Sequence, residues 1–271
     1  MPINSPDFSK NLERFTGFAG AYDSFRPAPP DALASLIQRY SGLGAIGRVV
    51  DLGSGTGLSS RYWAGRATEV VGIEPTPDMR NEAAAKTRDS NVRYQPGFSH
   101  ATGLPDRSAD VVSCSQALHW MKPEGTFAEA RRILRPGGVF SANDYDWPPT
   151  VGSWEAEAAY EACMRAVRRL EKERRTGEGL QQWEKGGHLG RMQASGCFRH
   201  TKEAVLHHVD RGNADRLVGV LLSQGNVMGL FKSGLTEAEL GIDALREVAQ
   251  RTLGPGLRDW FWNARVRMGI V

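Results

Sequence analysis

The sequence predicts an α/β fold with a doubly wound, seven-stranded sheet that is mostly parallel and has an antiparallel last strand. Between residues 48 and 143, five short apolar runs alternate with segments of helical periodicity, as in repeated strand–helix–strand units. These runs lack the apolar–polar alternation of a half-solvated strand, so both faces of the sheet are expected to be covered. A glycine-rich turn directly after the first run predicts a ligand site at the carboxyl edge of the sheet.

Each strand and helix in this part of the chain is indicated by its own residues. Thr76 and Pro77 offer an N-cap and a proline at the first helical position, and Pro123 opens the next helix. Pro136 followed by Gly137 has the order of a type II turn, so a turn is expected before the fifth strand. The predicted strands are residues 48–52, 70–73, 92–95, 109–115 and 139–143, and the predicted helices are residues 31–40, 58–66, 77–88 and 123–134.

The alternation of strand and helix changes after about residue 150. A long segment that is acidic early and basic late suits the dipole of one helix, and Thr236 with Glu239 forms a capping-box pattern. We expect two further strands to join the main sheet, and the helices between them to cap its active edge. The predicted elements are helices at 153–175, 213–224 and 236–253, and strands at 202–209 and 260–268.

At the N-terminus, Phe8, Leu12, Phe15 and Phe18 lie at helical spacing and predict a short amphipathic helix over residues 8–18. Prolines then hold the chain extended before the next helix. The predicted organisation is an N-terminal helical lid segment (1–40), a ligand-binding core (41–150), and a helical cap with the last two strands (151–271) in the same domain.

Composition and charge exclude several classes of protein. The net charge of +3 is too small to indicate a nucleic-acid partner. The three cysteines form no C-x-x-C pair, so neither a metal site nor a disulfide framework is expected, and a cytoplasmic location is the simplest expectation. There is no run of about 18 apolar residues, so no membrane span is expected, and the first ten residues lack the apolar core of a signal peptide.

The glycine-rich turn is Asp51-Leu52-Gly53-Ser54-Gly55-Thr56-Gly57, between a predicted strand and a predicted helix. Glycines let the backbone turn tightly and let a ligand approach the main chain. The next strand ends at Glu74, 17 residues beyond Gly57, where a carboxylate can accept hydrogen bonds from both hydroxyls of an adenosine ribose. The combination favours a bound nucleoside over a glycine turn without a ligand.

Two cofactors fit a glycine loop followed by such an acid. The NAD fingerprint G-x-G-x-x-G lacks its third glycine here, because Ser60 occupies that position after Gly55 and Gly57. Asp51 would repel a pyrophosphate, whereas it suits a ligand that carries an ammonium and a sulfonium. The charges therefore favour S-adenosylmethionine.

Four segments resemble the motifs of class I S-adenosylmethionine-dependent methyltransferases. Residues 49–57 resemble their first motif, residues 71–74 their ribose-binding motif, and residues 104–112 and 134–138 the approaches to strands four and five. The set is most similar to the type 11 methyltransferase family, and Ser115-Gln116-Ala117-Leu118-His119-Trp120 resembles its trans-aconitate methyltransferase-like members. The resemblance covers roughly residues 45–145 and implies a Rossmann-like fold.

The resemblance also implies which residues bind the cofactor. The glycine-loop backbone would hold the methionine end, Glu74 the ribose, and Pro75 the side of the adenine. His100 stands where the family often has an acid, and Gln116 ends strand four near the sulfonium. The predicted cofactor-binding residues are Asp51, Gly53, Ser54, Gly55, Thr56, Gly57, Glu74, Pro75, Ser99, His100, Ala101, Gln116 and Tyr22.

The acceptor site is predicted from position. Methyl transfer from a sulfonium is a direct displacement, in which the enzyme aligns the reactants and excludes water. Residues just after strands four and five lie at the mouth of the site, and the N-terminal segment folds over the cofactor in similar enzymes. A buried structural histidine and aromatic packing are the alternatives for these residues. The predicted substrate-binding residues are Arg26, His119, Trp120, Tyr145 and Trp147, and the predicted catalytic residues are His119 and Tyr22; Trp183, His188 and Gln224 are weaker candidates.

The predicted function is methylation of a small molecule, at an oxygen of a carboxylate or a hydroxyl. Two alternatives remain open: transfer to nitrogen or carbon of a small metabolite, and a non-catalytic S-adenosylmethionine-binding protein. The predicted partner is the small-molecule acceptor, with no nucleic acid, membrane or metal, and the expected assembly is a monomer or a homodimer.

Overall fold

The computed structural model describes residues 8–15 and 23–271, and its centre is one seven-stranded sheet. The strand order is β3-β2-β1-β4-β5-β7-β6. Strands β1 to β5 run parallel, and β7 is antiparallel to both β5 and β6, so the predicted fold class is confirmed. The strands are β1 (Ile46–Leu52), β2 (Ala67–Ile73), β3 (Val92–Gln95), β4 (Ala109–Ser115), β5 (Leu134–Tyr145), β6 (His200–Gly212) and β7 (Arg258–Ile270).

Helices cover both faces of the sheet, as the apolar strands predict. The described helices are α1 (Ser9–Phe15), α2 (Leu33–Ser41), α3 (Leu58–Ala64), α4 (Pro77–Lys86), α5 (Pro123–Ile133), α6 (Trp154–Arg174), α7 (His188–Ala194), α8 (Ala214–Leu222), α9 (Gly225–Lys232) and α10 (Ile242–Thr252), with a 3₁₀ turn at Leu118–Trp120.

Two apolar clusters fill the space on either side of the sheet. On one side, Ile37 of α2 and Trp63 of α3 pack with Val49 of β1. On the other side, Phe127 of α5 packs with Val50, the next residue of the same strand. Because neighbouring strand residues point to opposite faces, a strand buried on both sides needs an uninterrupted apolar run.

Helices α6, α8, α9 and α10 pack together as a cap beside β5 and β7. Their shared core includes Tyr145 from the end of β5 and Trp260 and Trp262 from β7. Strands β6 and β7 join the main sheet, as predicted, and the helices α8, α9 and α10 between them pack with α6.

The structure corrects several element boundaries. The capping box at Thr236 forms, but its turn stops at Gly241, whose φ of +75° is left-handed, and α10 begins only at Ile242. Strand β5 already begins at Leu134, but its register with β4 shifts between Leu134 and Val139, and Gly137 has the left-handed φ of +81° that the expected type II turn requires. Helices α7 and α9 were not predicted, because both are short and contain glycine.

Helix α1 lies within the helix predicted over residues 8–18. Residues 16–22, which include Phe18 and the predicted cofactor-binding and catalytic residue Tyr22, lie outside the described residues. None of the helices in the described ranges is long and apolar enough to cross a membrane.

Candidate active site

A deep cleft lies at the carboxyl edge of the parallel strands and holds about 1250 Å³ of empty space, its open mouth included. Its floor is formed by the ends of β1, β2 and β4, and its roof by α1 and residues 26–29. The lining residues are Phe8, Asn11, Leu12, Arg26, Pro27, Pro29, Gly53, Ser54, Gly55, Thr56, Leu58, Ser59, Ile73, Glu74, Pro75, Thr76, Met79, Phe98, Ser99, His100, Ser115, Gln116, Ala117, Trp120, Met121 and Trp147.

The glycine loop crosses the floor in a conformation that other residues rarely adopt. The φ angles of Gly53, Gly55 and Gly57 are +65°, +52° and +83°, all left-handed. A Cβ atom on Gly53 would lie 2.6 Å from the Cε of Met121, whereas one on Gly55 would meet no atom within 4 Å. Gly53 is therefore required by close packing, and Gly55 leaves open space where a ligand can approach the main chain.

Glu74, at the end of β2, is tied to this loop by both carboxylate oxygens. Oε2 accepts a hydrogen bond from the Gly55 N–H at 3.0 Å, and Oε1 accepts one from the Thr76 N–H at 2.9 Å. Burial raises the pKa of this carboxyl above its usual value. Each oxygen keeps a second lone pair, so the carboxylate can still accept hydrogen bonds from a ribose diol in the cleft.

Asp51 lies beneath the loop rather than on the cleft wall. Its side chain is fully buried, and Oδ2 accepts a hydrogen bond from Ser60 Oγ at 2.7 Å. Burial raises the pKa of Asp51 to about 7, with the charge of Glu74 adding to the effect. A carboxyl with this pKa responds to a positive charge above it by ionising, which suits a cationic ligand.

The side of the cleft over β2 and β3 is framed by aromatic rings. The His100 ring stacks on Phe98, with ring centroids 5.5 Å apart, and on Phe8, just before α1, with centroids 6.4 Å apart. Ser99 lines the same region and shares a 2.8 Å hydrogen bond with Thr126. These flat surfaces next to Glu74 fit an adenine ring.

Residues 23–30, here called the N-terminal strap, are attached to the glycine loop by Asp23. Its Oδ1 accepts a hydrogen bond from Thr56 Oγ1, and its Oδ2 pairs with Arg61 Nη2, both at 2.7 Å. Lys86 of α4 lies 3.4 Å from Oδ2. Sequence reasoning missed Asp23, whose only local signal is its place beside the predicted residue Tyr22.

The other end of the strap is attached to the helical cap. Arg26 donates from Nε to Ser223 Oγ at 2.8 Å and from Nη2 to the Ser223 carbonyl at 2.9 Å, and its guanidinium lies 4.8 Å from the Trp147 ring centroid. Tyr145 donates from its hydroxyl to the Ala28 carbonyl at 2.7 Å. Arg26 and Trp147 therefore line the cleft, while Tyr145 supports the strap from below.

Gln116 and Trp120 form the floor of the cleft at the end of β4. Gln116 has a φ of +54°, which is uncommon for a residue other than glycine, and its N–H donates to the Asn143 carbonyl at 2.8 Å. The carboxamide Oε1 of Gln116 accepts a hydrogen bond from Lys185 Nζ at 3.3 Å. Sequence reasoning missed Lys185, which lies about 70 residues away in a glycine-rich loop.

His119 lies behind this floor and does not line the cleft. It is buried, and its Nδ1 lies 3.7 Å from Asp144 Oδ1. Burial and then the Lys185 ammonium lower the pKa of His119 to about 3, so its ring is neutral at physiological pH. Its neighbour Trp120 lies in the same 3₁₀ turn but lines the cleft.

The structure brings most of the predicted site residues to one cleft. Those that line it are Gly53, Ser54, Gly55, Thr56, Glu74, Pro75, Ser99, His100, Gln116, Arg26, Trp120 and Trp147. The described residues that do not line it are Asp51, Gly57, Ala101, His119 and Tyr145, and of these Ala101 is exposed to solvent. Among the weaker candidates, Gln224 contacts Arg26, while His188, the first residue of α7, is buried.

Similarity to known proteins supports the interpretation of the fold and of the glycine loop. Residues 50–142 match the family described as a methyltransferase domain. An uncharacterized methyltransferase of Mycobacterium tuberculosis is 35% identical over 125 residues, which cover 46% of this chain and 49% of the relative. A probable S-adenosylmethionine-dependent methyltransferase of Saccharomyces cerevisiae is 30% identical over 157 residues, covering 56% of this chain and 52% of the relative.

The fold is matched over a greater length. The solved structure of a proposed type II methyltransferase from Anaeromyxobacter dehalogenans superposes with a TM-score of 0.65 over 91% of this chain and 98% of that chain, at 24% identity. The chain spans about half the length of the curated relatives it matches. Residues 50–142 thus resemble a methyltransferase domain, and the glycine loop with Glu74 fits a site for S-adenosylmethionine.

Proposed function

We propose that this chain transfers a methyl group from S-adenosylmethionine to an oxygen of a small molecule, with a carboxylate as the leading acceptor and a hydroxyl as the second. The observation that carries the proposal is the make-up of the cleft over β4 and β5. Among the described lining residues, the titratable side chains are Arg26, Glu74 and His100. Glu74 and His100 lie at the nucleoside end, so no proton acceptor of the described lining stands at the acceptor end.

The lack of a base in the described lining of the acceptor end supports a carboxylate over acceptors that must lose a proton. An amine or an aliphatic or phenolic hydroxyl carries its proton at neutral pH and loses it on methylation, which favours a nearby base. A carboxylate is already ionised and needs only alignment with the methyl group. His119 does not fill the role of a base, because its ring is outside the cleft and its pKa is about 3.

The cofactor supplies the electrophilic methyl group, and the side chains of this protein hold the reactants. The Gly53–Thr56 backbone and the Glu74 carboxylate would bind the methionine and ribose parts, and the open space over Gly55 fits this. Asp51, which lies beneath the loop, would ionise in response to the ligand's positive charges. Ser99, His100 and Pro75 would border the adenine, and Ala101 and Gly57, which do not line the cleft, would support these walls.

The acceptor would lie between the β4 end and the strap. Trp120 and Trp147 offer flat apolar walls, and Gln116 offers a hydrogen-bonding group at the floor. Arg26 would hold the strap and add positive charge, because Ser223 already accepts two of its hydrogen bonds. Tyr145 would fix the strap. Closing the strap over this space excludes water from the displacement.

The test is a panel of carboxylic acids, phenols and amines incubated with methyl-labelled S-adenosylmethionine. We expect label in methyl esters, which mild alkali releases as methanol, and S-adenosylhomocysteine in equal amount. Label only in alkali-stable amines would overturn the oxygen proposal. No S-adenosylhomocysteine with any acceptor class would favour the non-catalytic alternative.

A further inference from the structure

The carboxamide of Gln116 is held in one orientation by Lys185. The Lys185 ammonium lies 3.3 Å from Gln116 Oε1 and 3.0 Å from Asp144 Oδ1. An ammonium only donates hydrogen bonds, so the carbonyl oxygen of Gln116 must face it and the amide nitrogen must face away. Lys185 thus determines that the amide nitrogen of Gln116, and not its carbonyl oxygen, is available to another partner.

The amide nitrogen of Gln116 lacks a partner within the described part of the chain, although the atom is buried. A buried donor without an acceptor destabilises a protein, and most such groups in native structures find a partner. Gln116 also adopts a left-handed backbone conformation and lines the cleft. Strained backbone of this kind is concentrated at binding and catalytic sites. Both features indicate that a ligand oxygen completes this position.

The loop that carries Lys185 is fixed at both ends of the cleft. Trp183 donates its N–H to the His119 carbonyl at 2.8 Å, which joins the loop to the floor. Asn11 of α1 exchanges two hydrogen bonds with the Gln181 backbone, at 2.7 and 3.0 Å, which joins the loop to the roof. The backbone that carries Lys185 is therefore held by contacts with both the floor and the roof, and its position does not depend on the flexible side chain alone.

Lys185 is one of the cations near the cleft floor, and the Arg14 guanidinium lies 5.4 Å from the Trp120 ring centroid. Asp144 is shared between Lys185 and the buried Arg267, whose Nη1 lies 3.3 Å from Asp144 Oδ2, and Arg267 pairs in turn with Glu203 at 2.8 Å. Two cations thus face two carboxylates. Lys185 is the one that also contacts Gln116, so it places a positive charge behind the carboxamide whose amide nitrogen would meet an anionic oxygen.

We propose that Lys185 is a positioning residue that makes the acceptor end selective for a carboxylate on an apolar, flat molecule. It turns Gln116 so that Nε2 donates to the acceptor oxygen, and it places a positive charge behind that hydrogen bond. The apolar body would pack between Leu12, Trp120 and Trp147. This inference rests on the proposed carboxylate acceptor and names the group that would recognise it.

The test compares the binding of trans-cinnamate with that of its neutral isostere, cinnamamide, by isothermal titration in the presence of S-adenosylhomocysteine. Both probes offer an oxygen acceptor, but only the acid is charged. The positive charge of Lys185 attracts the acid and not the amide, so we expect the wild-type protein to bind the acid about tenfold more tightly. Lys185→Met should abolish this preference, and Lys185→Arg should restore it.

The matched control is Arg48→Met, which removes a cation of similar exposure (29% against 34%) from an ion pair with Glu69. Arg48 lies on β1 away from the cleft lining, so the preference should persist. The affinity for S-adenosylhomocysteine should stay within about twofold in every variant if the site is intact.

Two results would overturn the inference: an acid preference that survives in Lys185→Met, or no binding of either probe by the wild-type protein. The experiment does not require turnover. A preference that depends on Lys185 without any methyl ester would reject the proposed function alone, whereas methyl esters with unchanged binding in Lys185→Met would reject this inference alone.

Discussion

Asp23 connects the N-terminal strap to the glycine loop, and its replacement by alanine tests whether the strap retains the cofactor. The carboxylate accepts a hydrogen bond from Thr56 and pairs with Arg61, both at 2.7 Å. Because the strap residues Arg26, Pro27 and Pro29 line the cleft, we expect the cofactor to leave faster when this attachment is open. We therefore expect Asp23→Ala to accelerate cofactor release.

The magnitude follows from the burial of these contacts. The Asp23 side chain is 11% exposed, and that of Arg61 is 20% exposed, so water screens the pair only in part. A hydrogen bond to a charged group contributes about 1.5–3 kcal/mol, and Thr56 and Arg61 regain water when the strap opens. A net loss of about 2 kcal/mol corresponds to about a 30-fold larger open fraction, and the dissociation rate should rise by about 10- to 30-fold.

The assay is stopped-flow displacement of S-adenosylmethionine, followed by the fluorescence of the tryptophans that line the cleft. The matched control is Asp31→Ala, which removes a neighbouring carboxylate that is 87% exposed and lies 3.5 Å from Arg66. Exposed pairs of this kind contribute little, so its dissociation rate should change by less than about twofold.

An unchanged dissociation rate in Asp23→Ala would refute the reasoning, because the attachment would then not limit release. A fall in the association rate with no change in dissociation would also contradict it. That outcome would mean that Asp23 shapes the loop for binding rather than closing the strap over the ligand.

Three further predictions concern single carboxyl and imidazole groups. Glu74→Ala should weaken S-adenosylmethionine binding by about 1–3 kcal/mol in a calorimetric titration, because the ribose loses a charged partner; an unchanged Kd would reject the assignment. Burial raises the pKa of Asp51 to about 7 in the folded protein, so only the unfolded chain ionises between about pH 4 and 7. The free energy of unfolding should therefore fall as the pH rises over this range and level off above it. Urea denaturation at pH 5 and pH 8 should show this fall in the wild-type protein and not in Asp51→Asn. The same pH dependence in both proteins would contradict the prediction. His119→Gln should keep the pH profile of kcat/KM, because the pKa of His119 is about 3; a lost limb of the profile would instead identify a base.

The cofactor half of the site could be predicted because its parts are close in sequence. One strand–helix–strand unit holds the glycine loop and Glu74, and the register of β1 and β2 pairs Asp51 with Gly72 and Leu52 with Ile73. Neighbouring parallel strands end at the same edge, so the acid must lie beside the loop. The apolar runs also predicted the strand centres, since a covered strand needs apolar residues on both faces.

Strand and helix ends were less predictable, because partners elsewhere in the chain decide them. Strand β5 extends back to Leu134 because Leu134 pairs with Ala109 of β4, while the Gly137 N–H donates to the carbonyl of Val271. The capping box at Thr236 formed as its pattern predicted, but Gly241 separates it from α10. The sequence contained local signals at the start of β5 and before α10, but contacts with the surrounding backbone set the length of each element.

The sequence by itself determined the class of fold, the cofactor loop and the acid that faces it, because each depends on residue types at short, fixed spacings. The tertiary structure alone decided the acceptor end. His119 and Trp120 are neighbours in sequence, yet a 3₁₀ turn sends one behind the floor and the other into the cleft. Asp23, Gln116 and Lys185 come from three distant segments. The hydrogen bonds of Asp23 with Thr56 and of Lys185 with Gln116 form only after these segments have packed against one edge of the sheet.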